Sequence, residues 1–307
     1  MLTAAGGVNV SYRTNDVGLA ANNPALLRPA LHHHLNLSFN GMPGSIKAYG
    51  LTGAHYFEES ETVFGGQVFF VDYGSIPQAD ASGITSGDFR PVDFVVQASA
   101  AKQYMDKWHY GGTFKFIHSA YGQFRSSAIA IDAGLHYEDS SKLFYAGLVA
   151  KNMGIQLTTY AGEREDMPFE LQAGITKKLE RAPFGFSFTA QQLHRFNTLY
   201  NDTLFNNEND TRIKTGFFNK LFNHFVVASH IYIGNHLEAT VGYNHLRRSE
   251  LNAGATGNGL NGFSMGIRAQ FLKLQVLYAR SHYQRNVSYN QLGITLHMNR
   301  FFGTGSL

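Results

Sequence analysis

Near its end the chain runs from Asn290 to Phe302 as NQLGITLHMNRFF. Taken two residues at a time, Leu292, Ile294, Leu296 and Met298 fall on one side, and Gln291, Gly293, Thr295 and His297 on the other. One face is oily and the other is polar or small. A strand of this kind needs an apolar surrounding on one side and a polar one on the other. The aromatic pair Phe301 and Phe302 closes it, in the position an interface residue takes when a strand leaves a bilayer.

The same period recurs upstream from His34 onward. Leu35, Leu37 and Phe39 oppose Asn36, Ser38 and Asn40, and Val92, Phe94, Val96 and Ala98 oppose Asp93, Gln97 and Ser99. Ile129, Ile131, Ala133 and Leu135 alternate with Ala130, Asp132, Gly134 and His136, while Phe263, Met265, Ile267 and Ala269 alternate with Ser264, Gly266, Arg268 and Gln270. About fourteen such segments of roughly ten residues follow one another, the length a tilted strand needs to cross a bilayer. Every second link is tight, at Glu58 to Glu61, Met105 to Lys107, Glu138 to Lys142, Glu180 to Pro183, Gly234-Asn235 and Phe271-Leu272. Most links between are long: Asp72 to Pro91, Asn152 to Pro168, Arg195 to His224 and Arg247 to Gly259. Pro43-Gly44 is a tight exception. One rim is therefore trimmed and the other elaborated, as in barrels with short periplasmic turns and long extracellular loops. These patterns predict an all-β protein, a transmembrane antiparallel β-barrel of about fourteen strands with both termini on the short-turn side.

Composition agrees. Charged residues make up only 15% of the 307, aromatics 14% with a single Trp, and there are 32 Gly and 7 Pro. A soluble globular chain carries charge nearer a quarter of its residues, because its outside must face water. No apolar run reaches the roughly 18 residues of a spanning helix, so a membrane reading requires a closed barrel, the other spanning structure that satisfies its own backbone. With no cysteine, neither a disulfide framework nor a thiolate metal site is available. The first residues, MLTAAGGVNVSYRTND, lack the basic start and apolar core of a signal peptide, so if the protein is exported the sequence is expected to be its mature part. A net charge of +3 argues for neither nucleic acid nor an anionic membrane surface.

Two segments depart from the alternation. Residues 1–31 hold small residues, Asn pairs and two prolines, and are too apolar for a free tail, so they are expected to pack as a plug into the periplasmic mouth of a barrel formed by residues 32–307. The longest loop, Asn197 to His224, is Asn- and Asp-rich and then turns apolar. Phe217, Phe218, Leu221 and Phe222 lie there at helical spacing, either packing on the rim or offering a docking surface.

Chemistry is sparse. Gly262-Phe263-Ser264-Met265-Gly266 matches the G-x-S-x-G hydrolase pattern, but that motif works on a sharp strand-to-helix turn and Ser264 falls inside an alternating strand. Of His32, His33 and His34, only the first and third share a strand face, and no H-E-x-x-H helix accompanies them, so a polar girdle is expected rather than a metal site. His136 and His297 are expected to face the lumen. Lys115, Asp132, Glu170, Arg268 and Lys273 fall on inner faces, where a lattice of ion pairs is expected without catalysis. No catalytic residue, cofactor or metal is expected, and no phosphate loop or basic aromatic patch points to nucleotides or nucleic acid.

Gly6-Gly7, Asn15-Asp16-Val17-Gly18 and Ala20-Ala21-Asn22-Asn23-Pro24-Ala25-Leu26-Leu27 resemble the start of FadL-like outer-membrane barrels. Over nearly its full length the chain is most similar, within that superfamily, to the PorQ-like barrels of the type IX secretion system of Bacteroidetes. The resemblance implies a plug motif at Asn23, Pro24 and Ala25 and a non-enzymatic role in the bacterial outer membrane. It also implies a cell-surface attachment complex, with a PorZ-like partner that engages anionic lipopolysaccharide, a sortase-like protease and a PorV-like shuttle barrel. The competing class is FadL-like transport of hydrophobic small molecules. That activity requires a greasy pocket above the plug and a lateral opening, for which Gly111-Gly112 is a weak point in a strand.

Overall fold

A computed structural model describes residues 1–79, 82–160, 162–198, 216–251, 259–284 and 287–302. In chain order the strands are β1 His34–Gly41, β2 Lys47–Phe57, β3 Thr62–Asp72, β4 Ile76–Ala79, β5 Thr85–Phe89, β6 Val92–Tyr104, β7 Trp108–Tyr121 and β8 Phe124–Asp139. They continue with β9 Phe144–Thr158, β10 Glu170–Lys178, β11 Phe184–Ala190, β12 Phe225–Ile233, β13 Leu237–Asn244, β14 Phe263–Gln270, β15 Leu274–Gln284 and β16 Val287–His297. Fourteen of these close an antiparallel barrel, and β4 and β5 form a separate hairpin in the link between β3 and β6.

Closure is made by the stretch that opens the sequence analysis. β16 pairs with β1 in unbroken register from Asn290↔Gly41 to His297↔His34. Leu292 is 42% exposed on the outside while Thr295 is 1% exposed on the inside, so the oily side of the strand meets lipid and the polar side the lumen. The strand ends at His297, earlier than its aromatic pair. Asn299–Phe302 instead forms one helical turn, with Arg300 Nη1 donating to Leu272 O at 2.6 Å. Leu37, Phe64, Phe114, Ile131, Phe186 and Met265 extend the exposed apolar band around the wall. No helix is long and apolar enough to cross a membrane.

The two rims differ as the link lengths require. On one, none of the six links exceeds five residues. On the other, the links spanning 73–91, 159–169, 191–224 and 245–262 are long, and those at 42–46, Gly122-Gln123 and 285–286 are short. Lys273 corrects its expected position on an inner face. It stands exposed in the tight turn between β14 and β15, its Nζ 5.3 Å from the Phe301 ring centroid, because the alternation breaks at Phe271.

Residues 1–31 fold inside the barrel. Three short 3-10 turns, Val17–Ala21, Pro24–Leu26 and Pro29–Leu31, are set by local chemistry: Asp16 Oδ1 accepts the Gly18 N–H and Asn23 Oδ1 the Ala25 N–H, each at 3.0 Å, and prolines open the second and third turns. Val17, Ala20, Leu27 and Leu31 pack on Ala54, Val63 and Ala101 near the short-turn mouth. Each of the larger side chains gains about 1.5–3 kcal/mol from burial. The segment also reaches well beyond that mouth. Met1 and Ala4 pack on Leu277 and Ala279, and Gly6 O accepts from Asn244 Nδ2 at the long-loop end of β13.

Candidate functional site

The site with the most chemistry is the surface between this inner segment and the wall. Asn23 is fully buried. Besides its cap, its Nδ2 donates to Val10 O at 2.9 Å and to Leu135 O of β8 at 3.3 Å, which ties the plug both to itself and to the barrel. Pro24 and Ala25 lie against Gly111 of β7, where a Cβ would stand 2.8 Å from Pro24 C and 2.9 Å from Ala25 N. Across the β7–β8 ladder Gly134 pairs with Gly111, and its Cβ would lie 2.1 Å from Asn23 Oδ1. Further round, a Cβ on Gly147 would meet Val10 O at 2.2 Å, and one on Gly242 would meet Ala4 O at 2.5 Å. Inward glycines thus mark the footprint of the plug. Gly111 is where the plug backbone approaches, and the β6–β7 and β7–β8 ladders pass it without interruption.

Several charged groups on the inner wall have polar or charged partners. Lys115 Nζ lies 2.6 Å from Asp132 Oδ2, with both side chains buried. Lys151 Nζ donates to Asn22 Oδ1 at 3.0 Å. Glu238 accepts from Tyr12 Oη and pairs with Arg268, while Arg13 pairs with Glu138. Burial, then the Glu238 charge, raises the Tyr12 hydroxyl well above its ordinary pKa, so it remains a donor. Glu170 begins β10 on the side of buried Gln172.

Ser264 lies in β14, bonded to Ser281 Oγ at 2.7 Å and Arg247 Nη1 at 3.1 Å, with no turn of the hydrolase kind. His136 and His297 are buried on the inner side. The histidine triplet is rearranged by the left-handed backbone of His33, φ 57°, which overrides strict alternation. His32, His33 and His55, not His32 and His34, come together, with ring centroids 3.7–4.8 Å apart and ligand atoms within 4.8 Å of one another. His32 Nδ1 already accepts the Tyr56 N–H at 3.0 Å, so the neutral ring carries its proton on Nε2 and has no free lone pair for an ion. The cluster reads as a stacked girdle. His34 instead stacks on His297 at 4.2 Å.

At the elaborated rim the helix Phe217–Asn223 carries the aromatic group. Phe217, Phe218 and Phe222 are 62%, 71% and 52% exposed, and Leu221 is half-buried. The Asn- and Asp-rich part of this loop, 199–215, and residues 252–258 of the next lie outside the described residues.

Three cavities accompany these features. One of about 410 Å³ lies at the short-turn mouth between plug residues 12–15 and 28–30 and strands β9 to β14. A second of about 360 Å³ separates the plug from β1, β3, β15 and β16, with Leu2, Leu19 and Phe69 beside Asn36, Asn40 and Gln291. A third of about 350 Å³ is an apolar groove bounded by Leu37, Phe39, Tyr49, Leu51, Leu292 and Ile294, which places it on the lipid-facing side. The β8–β9 ladder is broken at Ile131/Ala133, where Asn152 turns to φ 58° and donates its N–H to Asp132 Oδ1 at 2.8 Å.

No family model and no curated protein matches the sequence. Solved structures do match in fold. The CymD monoaromatic hydrocarbon channel has TM-score 0.56 at 13% identity, covering 96% of this chain and 95% of that one. A mutant of the TodX monoaromatic hydrocarbon channel has TM-score 0.55 at 13% identity over 96% of both chains, and a Pseudomonas aeruginosa FadL homologue 0.53 at 10% over 96% and 97%. The class of protein this defines is a closed, transmembrane antiparallel β-barrel. Its fold is FadL-like, with fourteen strands and an N-terminal segment within the lumen.

Proposed function

We propose that this chain is a non-enzymatic, PorQ-like barrel of the type IX secretion system that anchors a PorZ-like surface protein on its extracellular rim. The observation that carries this reading is the exposed aromatic face Phe217, Phe218 and Phe222 on the elaborated rim of a barrel whose lumen is occupied by its own N-terminus. Aromatic side chains of this kind dominate protein interfaces. A sortase-like protease and a PorV-like shuttle barrel are further members of the proposed assembly. Affinity purification from native membranes tests it, repeated after residues 203–222 are replaced by a short Gly/Ser linker. A surface protein retained by the native chain and lost by the variant supports the anchor. A bound apolar small molecule as the only retained component overturns it.

A second reading is transport of hydrophobic small molecules. It is favoured by two channels of like fold that are named for monoaromatic hydrocarbons, and by the break in the wall at Asp132 and Asn152. Against it, the cavity beside the plug is lined by Asn36, Asn40 and Gln291 as well as by apolar groups, and the continuous greasy path that such cargo needs is not formed there. Uptake of toluene by liposomes holding the purified chain distinguishes the two.

A further inference from the structure

The cavity at the short-turn mouth has an unbalanced lining. Arg13, Arg28, Lys178 and Arg268 face it with Glu238 as the single carboxylate. Arg13 is matched by Glu138 and Arg268 by Glu238. Arg28 and Lys178 are not: among the described residues no carboxylate lies within ion-pair distance of either. Arg28 is only 8% exposed. One edge of its guanidinium is used by the plug, Nη2 donating to Thr14 O and to Asn15 Oδ1, but its Nε is buried with no acceptor. Burial first, and the Arg13 guanidinium next, press Arg28 down to about 10, still far above any working pH, so it stays a cation. Opposite, Lys178 Nζ sits 4.3 Å over the Tyr232 ring, held by an aromatic face rather than by a counter-charge. A buried, like-charged guanidinium without a counter-ion is costly, and water in the cavity reduces this cost without removing the repulsion. A small oxyanion supplies what is missing.

We propose that this cavity binds a small solute bearing a carboxylate or phosphate group, entering from the periplasmic side and held by Arg28 and Lys178. The exposed turn residues Gly234, Asn235 and His236 form the entrance, and the volume of about 410 Å³ suits a compact anion rather than a long chain. The site lies at the opposite end of the barrel from the aromatic rim and does not rest on the anchor reading.

The full chain in a non-ionic detergent and a buffer poor in anions is titrated by calorimetry, with inorganic phosphate in one arm and succinate in the other. Saturable one-to-one binding in at least one arm is expected, and the tighter arm identifies the group recognised. Arg28→Gln and Lys178→Gln each weaken it about ten-fold or more, the loss of one charge-assisted hydrogen bond. Arg181→Gln, an equal change of charge on an exposed turn of the same rim, leaves it unchanged. Heat-modifiable gel migration reports folding, and if Arg28→Gln fails to fold, Lys178→Gln on the wall carries the comparison. No saturable heat in either arm overturns the proposal, as does equal weakening by Arg181→Gln or undiminished binding by the folded variants.

Discussion

Asn23 joins three functions in one side chain: it caps a turn, braces the plug at Val10 and reaches the wall at Leu135. Asn23→Ala removes all three and leaves buried groups without partners, a loss of about 1–3 kcal/mol. The temperature at which the folded band converts on a denaturing gel is expected to fall accordingly. His32 gives a pH test. Burial, then the charges of His33 and His55, lower it from 6.5, so the unfolded chain binds the proton more readily than the folded one. Stability is therefore expected to decline as pH falls from about 7.5 to about 5, and the decline to be shallower in His32→Gln. Thermal unfolding at several pH values checks the slope. At this scale the Asn-Pro-Ala run was legible through a family resemblance; the cap that Asn23 makes on Ala25 is local, but its bonds to Val10 and Leu135 are not visible from sequence. The lone Arg28, also in plain view between Leu27 and Pro29, was not legible, since its meaning depends on which carboxylates end up elsewhere. The inward glycines were equally opaque, for a strand glycine shows no sign of what approaches it.

Among the elements, β16 needed only its own alternation to be placed, because a period of two with one lipid face admits a single orientation. Where the strand stops did not follow from that period. The backbone leaves it after His297, and the aromatic Phe301 belongs to a helical turn. His33 shows the same limit at the other end of the chain, one left-handed residue regrouping three imidazoles. The spacing of Phe217, Phe218, Leu221 and Phe222 did indicate a helix, which is formed over Phe217–Asn223. It did not say whether the rings pack on the barrel or face outward. Because Phe218 is 71% exposed, Phe218→Ser is expected to change barrel stability by less than about 0.5 kcal/mol while releasing the proposed surface partner. Gel migration and co-purification, run on one preparation, separate these effects.

For the whole molecule, the count of alternating segments carried the strand number, the alternation of tight and long links the difference between the two rims, and closure followed from the backbone's need for partners. The depth of the plug did not, because nothing local in Met1–Gly7 tells that it reaches Asn244. With the lumen so occupied, the native chain in a planar bilayer is expected to show no stable conductance steps. Gly147→Leu, whose side chain would collide with Val10 O, is expected to produce them by displacing the plug. The occupied lumen also fixes an order of events. Residues 1–31 precede every strand of the wall, and their partners extend from Ala54 on β2 to Leu277 on β15, so the contacts of the segment are complete only when almost the whole wall is in place. Once β16 has zipped to β1 the wall has no free edge. A leading segment still outside at that moment has only the open mouths through which to enter. Biogenesis is therefore best served by a wall that curls around the segment ahead of it, so that residues 1–31 become the mandrel on which β16 is closed against β1.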